Sequence, residues 1–229
     1  QWSSSAASDV YKRQILHPVK MNKAKVSRIL KCENLLGESC FWDPRYNCLV
    51  WTDIEAKKAW MLDDNNQSFV FNLPDRAGFI LPRKKEGFII GFPNFIAISD
   101  KNFSSFEKIC EVEITNNQTR INDAKVDPYG GIVVGTYNED PDKAQRKPIA
   151  NLYRLAPNLS LTHLLSNITV SNGIAFSENE NIMYFADTPT GRIQKFEYTK
   201  NFNKFYELET NMIFKNCLLY TSPSPRDNR

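Results

Sequence analysis

Four short runs of β-branched and aromatic residues recur along this chain at a spacing that fits one small sheet each. They are CLVW (48–51), FIIGF (88–92), GIVVGTY (131–137) and IMYFAD (182–187). Each follows a turn-like polar stretch: DPRYN, PRKKEG, DPYGG and SENEN. Runs of this kind between turn signals read as strands joined by hairpins. The anchors Trp42, Leu81, Val126 and Phe176 stand 39, 45 and 50 residues apart. That spacing suits a β-propeller blade of four antiparallel strands. Helical periodicity is weak throughout. A β-sandwich is the competing all-β architecture, but its strands would not be expected to group into repeated units.

The repeat places polar residues in register. Four residues before the anchors stand Glu38, Ala77, Asn122 and Asn172. The first strand of a propeller blade lines the central channel, so equivalent positions in successive blades face one another. Carboxylate and amide oxygens converging from several blades are what a hard divalent cation needs, and Ala77 leaves space in place of a ligand. The competing reading is that these residues cap strand ends or turns, as Asn often does.

The ends read differently from the middle. Residues 1–14 (QWSSSAASDVYKRQ) and 217–229 (CLLYTSPSPRDNR) have no period and resemble translated sequencing-adaptor sequence. The expected division is therefore a non-native leader at 1–20, a partial propeller at 21–216 beginning at Met21, and a non-native tail at 217–229. The formal charge of +3 comes entirely from those ends. Between them 24 basic and 24 acidic residues balance, which argues against nucleic acid as a partner. No apolar run reaches the roughly 18 residues of a membrane helix. Cys32, Cys40, Cys48 and Cys110 lack metal-ligand spacing and read as reduced, mostly buried thiols in a cytoplasmic protein. On the same ground the five N-x-S/T triplets, at Asn66, Asn102, Asn117, Asn158 and Asn167, read as chance matches.

Several motifs together match something recognisable. GES (37–39), RINDAKVDPYGG (120–131), GTY (135–137), SNGIAFS (171–177) and MYFADT (183–188) resemble the SMP-30/gluconolactonase/luciferin-regenerating-enzyme family, in order and with family-like spacing from about Lys31 to Phe214. The resemblance implies an all-β, six-bladed β-propeller, of which about four blades fall within this chain. It implies one divalent cation on the propeller axis, calcium or zinc, with manganese or magnesium as further candidates. Glu38 falls on the family's metal-binding Glu and Asn172 on its metal-binding Asn. Arg120 and Asn122 fall on its substrate-binding Arg and Asn, and the register puts Asp140 on a further substrate-contacting acid. The third ligand and catalytic acid of the family is an Asp in a P-D-G segment of the next blade, and no P-D-G follows Phe214. The catalytic residue is thus unassigned, and this chain by itself is expected to be inactive.

The implied activity is hydrolysis of sugar lactones by metal-assisted attack of water on the lactone carbonyl, a carboxylic-ester hydrolase reaction. The alternative is a calcium-binding regulatory protein of the regucalcin type, although no EF-hand loop is present. The expected partner is a small-molecule lactone, with no nucleic acid and no membrane, and the chain is expected to be monomeric. Other readings stay structural. Arg120 could instead pair with Asp123. Asp53 and Asp187 occupy equivalent positions and are explained by hydrogen bonds at strand ends. Trp42, Trp51 and Trp60 read as core between blades, and His163 carries no expected catalytic role.

Overall fold

The computed structural model describes residues 27–177, 181–200 and 206–208. The chain divides into two units, Gln1–Cys32 and Glu33–Arg229. The described part of the first, residues 27–32, has no helix or strand. The described residues of the second hold sixteen strands in four antiparallel sheets, each built from four strands consecutive in sequence. A single 3-10 turn, Thr188–Thr190, is the one helical element among the described residues. The proposed leader, start and tail lie outside the described residues.

Blade 1 contains β1 (Gly37–Asp43), β2 (Cys48–Asp53), β3 (Lys58–Asp63) and β4 (Ser68–Asn72). Blade 2 contains β5 (Phe79–Pro82), β6 (Phe88–Phe92), β7 (Phe95–Ser99) and β8 (Phe106–Glu111). Blade 3 contains β9 (Thr119–Val126), β10 (Ile132–Asn138), β11 (Ala150–Leu155) and β12 (Leu161–Ile168). Blade 4 contains β13 (Ser171–Phe176), β14 (Ile182–Asp187), β15 (Arg192–Glu197) and β16 (Tyr206–Leu208). The first strands β1, β5, β9 and β13 are neighbours in that order. This is the β-propeller arrangement.

The four apolar runs of the sequence are the second strands, β2, β6, β10 and β14. Their apolar character is continuous because most of their residues are buried on both faces of the sheet. The outer strands alternate or stay exposed, as in β4 and β12. Three apolar clusters fill the three spaces between the four blades. Val50, Ala59, Ile80 and Phe88 join blades 1 and 2; Phe79, Ile96, Ile121 and Val134 join 2 and 3; Val133, Leu152, Met183 and Phe185 join 3 and 4. Burying each large side chain contributes about 1.5–3 kcal/mol.

Polar links fix the blades against one another. Ser39 Oγ donates to Ile80 O and accepts from Ile80 N, both at 3.0 Å, tying β1 to β5. Gly78 admits β9 closely: a Cβ there would stand 2.5 Å from the carbonyl oxygens of Ile121 and Asn122. Arg154 Nε and Tyr198 OH donate to Asp127 Oδ2 at 2.6 and 2.8 Å, linking blade 4 to a fully buried carboxylate of blade 3.

The tryptophans divide. Trp51 is buried and stacks on Trp60 at 5.6 Å, and its Nε1 donates to Asn34 Oδ1 at 2.8 Å. Trp42 is 50% exposed, which corrects its expected place between blades. It points to the face of blade 1 opposite Phe41, and Phe41 is the side that packs on blade 2. Asp53 and Asp187 are structural, as expected, and Asp53 makes the turn bond by accepting the Ala56 N–H at 3.4 Å. Asp53 accepts the N–H groups of Leu35 and Leu36, and Asp187 those of Thr169 and Val170, so each holds the chain as it enters its own blade.

Candidate functional site

The N-terminal ends of the first strands and the C-terminal ends of the second strands lie at one end of the blades, because the strands pair antiparallel. Glu38, Arg120, Asn122 and Asn172 all stand at this end. Glu38 pairs with Thr52 and Asn172 with Ala186, each followed by the same bulge before pairing resumes at Phe41 and Ala175. The residue after each has a left-handed backbone, φ 56° at Ser39 and φ 61° at Gly173. These bulges turn two side chains from two blades in the same sense. In β9 the bulge falls at Asn122 and Asp123 themselves. Blade 2 has no bulge in its first strand, so the position across from Phe92 is Gly78, and fully buried Ala77 lies one residue outside the register.

Three of these side chains form one hydrogen-bonded row across blades 3 and 4. Arg120 Nη1 donates to Asn122 Oδ1 at 2.8 Å and to Ile121 O at 2.9 Å. Asn122 Nδ2 donates to Ser171 O at 2.8 Å and lies 3.5 Å from Asn172 Oδ1. Asn172 Nδ2 donates to Thr188 Oγ1 at 3.1 Å. Thr188 thereby orients the amide, and Asn172 Oδ1, 3.5 Å from Asn122 Nδ2, keeps a lone pair for a ligand. Glu38 is half-buried in β1 of blade 1, two blades from Arg120 and Asn122 and three from Asn172 along the chain of blades. A carboxylate oxygen and an amide oxygen are hard donors, so these residues fit a hard divalent cation. Among the described residues no three His, Cys, Asp or Glu side chains cluster as a metal site. A set that includes Asn172 is of a different composition.

Arg120 is only 5% exposed. Its ion-pair partner is Glu139, not the Asp123 considered from sequence: Nε stands 3.3 Å from Glu139 Oε1. That N–H is not aligned on the carboxylate, and the sealed Nε has no hydrogen-bond acceptor. The guanidinium lies over the Tyr137 ring at 4.6 Å, and Arg146 approaches the same ring at 4.7 Å. Burial lowers the Arg120 pKa, and Glu139 opposes that shift. Glu139 also takes Arg76 through two bonds, Nη1 to Oε1 at 2.6 Å and Nη2 to Oε2 at 3.0 Å. Asp140 stands one residue beyond. Its N–H donates to Asn138 Oδ1 and its own Oδ1 accepts the Asp142 N–H at 3.0 Å, a turn bond.

Sequence reasoning missed Glu139, Arg76, Tyr137 and Thr188. Glu139 and Tyr137 lie inside the GTYNED stretch, Tyr137 in β10 opposite Arg120 and Glu139 one residue past the strand end. Thr188 ends the recognised MYFADT motif. Arg76 belongs to no motif. Asp123 is half-buried beside Asn122, and burial raises its carboxyl pKa, although the N–H groups of Ile174, Ala124 and Gly173 act against that rise. A separate groove of about 520 Å³, lined by Arg83, Glu86, Asp100 and Lys101, belongs to hairpins at the opposite end and shares none of these residues.

Comparison with known proteins agrees with this geometry. Regucalcin of Danio rerio is 30% identical over 181 residues, covering 78% of this chain and 60% of the relative. A 6-deoxy-6-sulfogluconolactonase of Pseudomonas putida is 30% identical over 169 residues, covering 72% and 57%. A solved luciferin-regenerating enzyme superposes with a TM-score of 0.71 at 24% identity, covering 77% of this chain and 61% of that one, which supports the fold. The chain thus spans about 60% of the length of these relatives. The family described as "SMP-30/Gluconolactonase/LRE-like region" matches residues 36–216, which include all four blades and every candidate site residue. With the blade order, the bulged first strands and the Arg120–Asn122–Asn172 row in agreement with that match, the chain belongs to the SMP-30/gluconolactonase/LRE-like family.

Proposed function

We propose that this chain is the larger part of a metal-dependent hydrolase of sugar lactones. The observation that carries the reading is the continuous row Arg120–Asn122–Asn172, running from a buried guanidinium to the Asn172 amide at the same end of the blades. Family membership and a relative named as a sulfogluconolactonase support the substrate class. Glu38 and Asn172 would hold the cation, with calcium favoured over zinc because neither donor is sulfur or imidazole. When bound, such an ion supplies Lewis acidity toward the lactone carbonyl and a lower pKa for water.

The chain's own residues then have distinct tasks. Asn172 offers its Oδ1 while Thr188 keeps the amide from rotating. Asn122 spans the two blades and can turn its amide to a sugar hydroxyl. Arg120, a rigid planar fork, can donate to a carbonyl or hydroxyl oxygen of the sugar. Tyr137 lies against that fork, and Arg146 approaches the same ring. Asp140 is assigned to a substrate contact through the end of the GTYNED loop, as the resemblance implies. The test is turnover of gluconolactone with calcium, zinc, manganese or magnesium added singly to metal-free protein, using a form extended to the length of its relatives. Metal-dependent turnover is expected. Tight calcium binding without turnover would favour the regulatory reading instead.

A further inference from the structure

We propose that Glu139 is a positioning residue, which fixes the Arg120 guanidinium for a ligand oxygen by sharing one carboxylate between arginines of neighbouring blades. Arg120 lies in β9 of blade 3, and Arg76 in the segment that leads from β4 into blade 2. Both carboxylate oxygens of Glu139 are engaged. Oε1 meets Arg76 Nη1 at 2.6 Å and Arg120 Nε at 3.3 Å, and Oε2 meets Arg76 Nη2 at 3.0 Å. Arg120 at 5% exposure cannot hold its charge without a nearby anion, and Glu139 is the carboxylate that reaches it. Arg76 and Glu139 keep about a quarter of their side chains exposed, so this pair sits at the rim while Arg120 lies beneath it. Arg76 holds Glu139 with the two parallel bonds that suit a planar fork. Glu139 in turn presents its Oε1 to Arg120. Tyr137 supports a second contact, because it pairs with Arg120 across the β9–β10 ladder. Four constraints therefore act on Arg120: Glu139, the Tyr137 ring, Ile121 O and Asn122 Oδ1. Only the first carries charge. Its loss leaves the buried Arg120 guanidinium facing Arg76 with only the more exposed Glu55, 3.9 Å from Arg76, as a nearby carboxylate, and repulsion moves Arg120 off Asn122.

The kinetic arm of the test rests on the lactonase reading, and the spectroscopic arm does not. The protein is the chain extended to the length of its relatives, with Arg side chains labelled at ¹⁵Nε. Unaltered protein should show slowly exchanging Arg Nε–H signals from Arg120 and from Arg154, whose Nε is held by buried Asp127, and the Arg120 signal is assigned by its loss in Arg120→Lys. Glu139→Gln should merge that signal with those of exposed arginines. Glu139→Asp, which keeps the charge on a shorter stem, should retain part of the protection and serves if the Gln variant fails to fold. For gluconolactone, Glu139→Gln should raise KM by about tenfold or more while kcat stays within about threefold, the pattern of lost binding and not of lost chemistry. A protected Arg120 signal that survives Glu139→Gln overturns the proposal, as does a lost Arg120 signal with KM unchanged. If the unaltered protein turns over no lactone, the lactonase reading fails. The proposal is then decided by gluconate: a shift of the Arg120 signal on gluconate binding that Glu139→Gln abolishes supports it, and an unchanged shift overturns it.

Discussion

At the scale of single residues, the candidate ligands are cheap to test because they are not structural keystones. Glu38 and Asn172 each follow from a bulge that the backbone of Ser39 and Gly173 creates, so removing the side chain leaves the bulge in place. Glu38→Gln keeps the shape and removes the charge, and should weaken divalent-cation binding about tenfold or more, read by titration calorimetry. Asn172→Ala should do the same, and Thr188→Val, which frees the Asn172 amide to rotate, should cost less. Unchanged affinity in Glu38→Gln would remove Glu38 from the ligand set. The two acids of the GTYNED stretch also separate at this scale. Glu139→Gln should affect ligand affinity through Arg120, while any effect of Asp140→Asn should be on the ligand alone, since its Oδ1 bonds a turn N–H that an amide oxygen also accepts.

At the scale of elements, buried charges tie hairpins to neighbouring sheets. Asp127 caps its own turn through the N–H groups of Tyr129 and Gly131, and then takes Arg154 from β11 and Tyr198 from beyond β15. Arg154→Met should destabilise the fold by about 3–5 kcal/mol, because a buried carboxylate loses its cation. Chemical denaturation of both proteins measures it. Asp43 in the first hairpin shows the pH side of the same device. Burial alone would raise its carboxyl pKa, but hydrogen bonds and charge from Arg45 outweigh burial and hold it below the ordinary value. A depressed folded pKa means that the stabilisation is complete above the unfolded value near pH 4 and fades as pH falls through the lower folded value. Arg45→Met should therefore flatten the acid limb of stability against pH below about pH 4. An acid limb identical to that of the unaltered protein would show that the Asp43–Arg45 pair does not contribute.

At the scale of the whole molecule, three interblade cores are complete, and among the described residues the outer face of blade 1 has no blade packed on it. On the side of blade 1 away from blade 2, Trp42 is 50% exposed and Val70 44% exposed. An apolar face of this kind favours association. The 229-residue chain should accordingly bind a hydrophobic dye and self-associate more than a form extended to the length of its relatives. It should also bind calcium more weakly, since the resemblance places a third ligand, the Asp of a P-D-G segment, in a further blade. Assay of both forms for gluconolactone turnover provides the check. Equal turnover would show that neither the additional blades nor a third protein ligand is needed.

The sequence by itself determined the architecture, because its information is local. Four apolar runs separated by polar turns are second strands, and their 39–50-residue spacing is the length of four strands and their hairpins. It also brought Arg120, Asn122 and Asn172 onto one list, and the structure sets them in one row. What it could not carry was the phase of each strand at its bulge. Ala77 slips out of register because β5 lacks the extra residue that β1 and β13 contain. Trp42 reads as core in any one-dimensional scheme, yet which face of blade 1 has a neighbour is a property of the assembled blades. Arg76 and Glu139 are 63 residues apart and meet only because blades 2 and 3 pack side by side. Motifs report residues close along the chain, whereas the charge that fixes Arg120 crosses between blades, and only the tertiary structure decides which carboxylate arrives there.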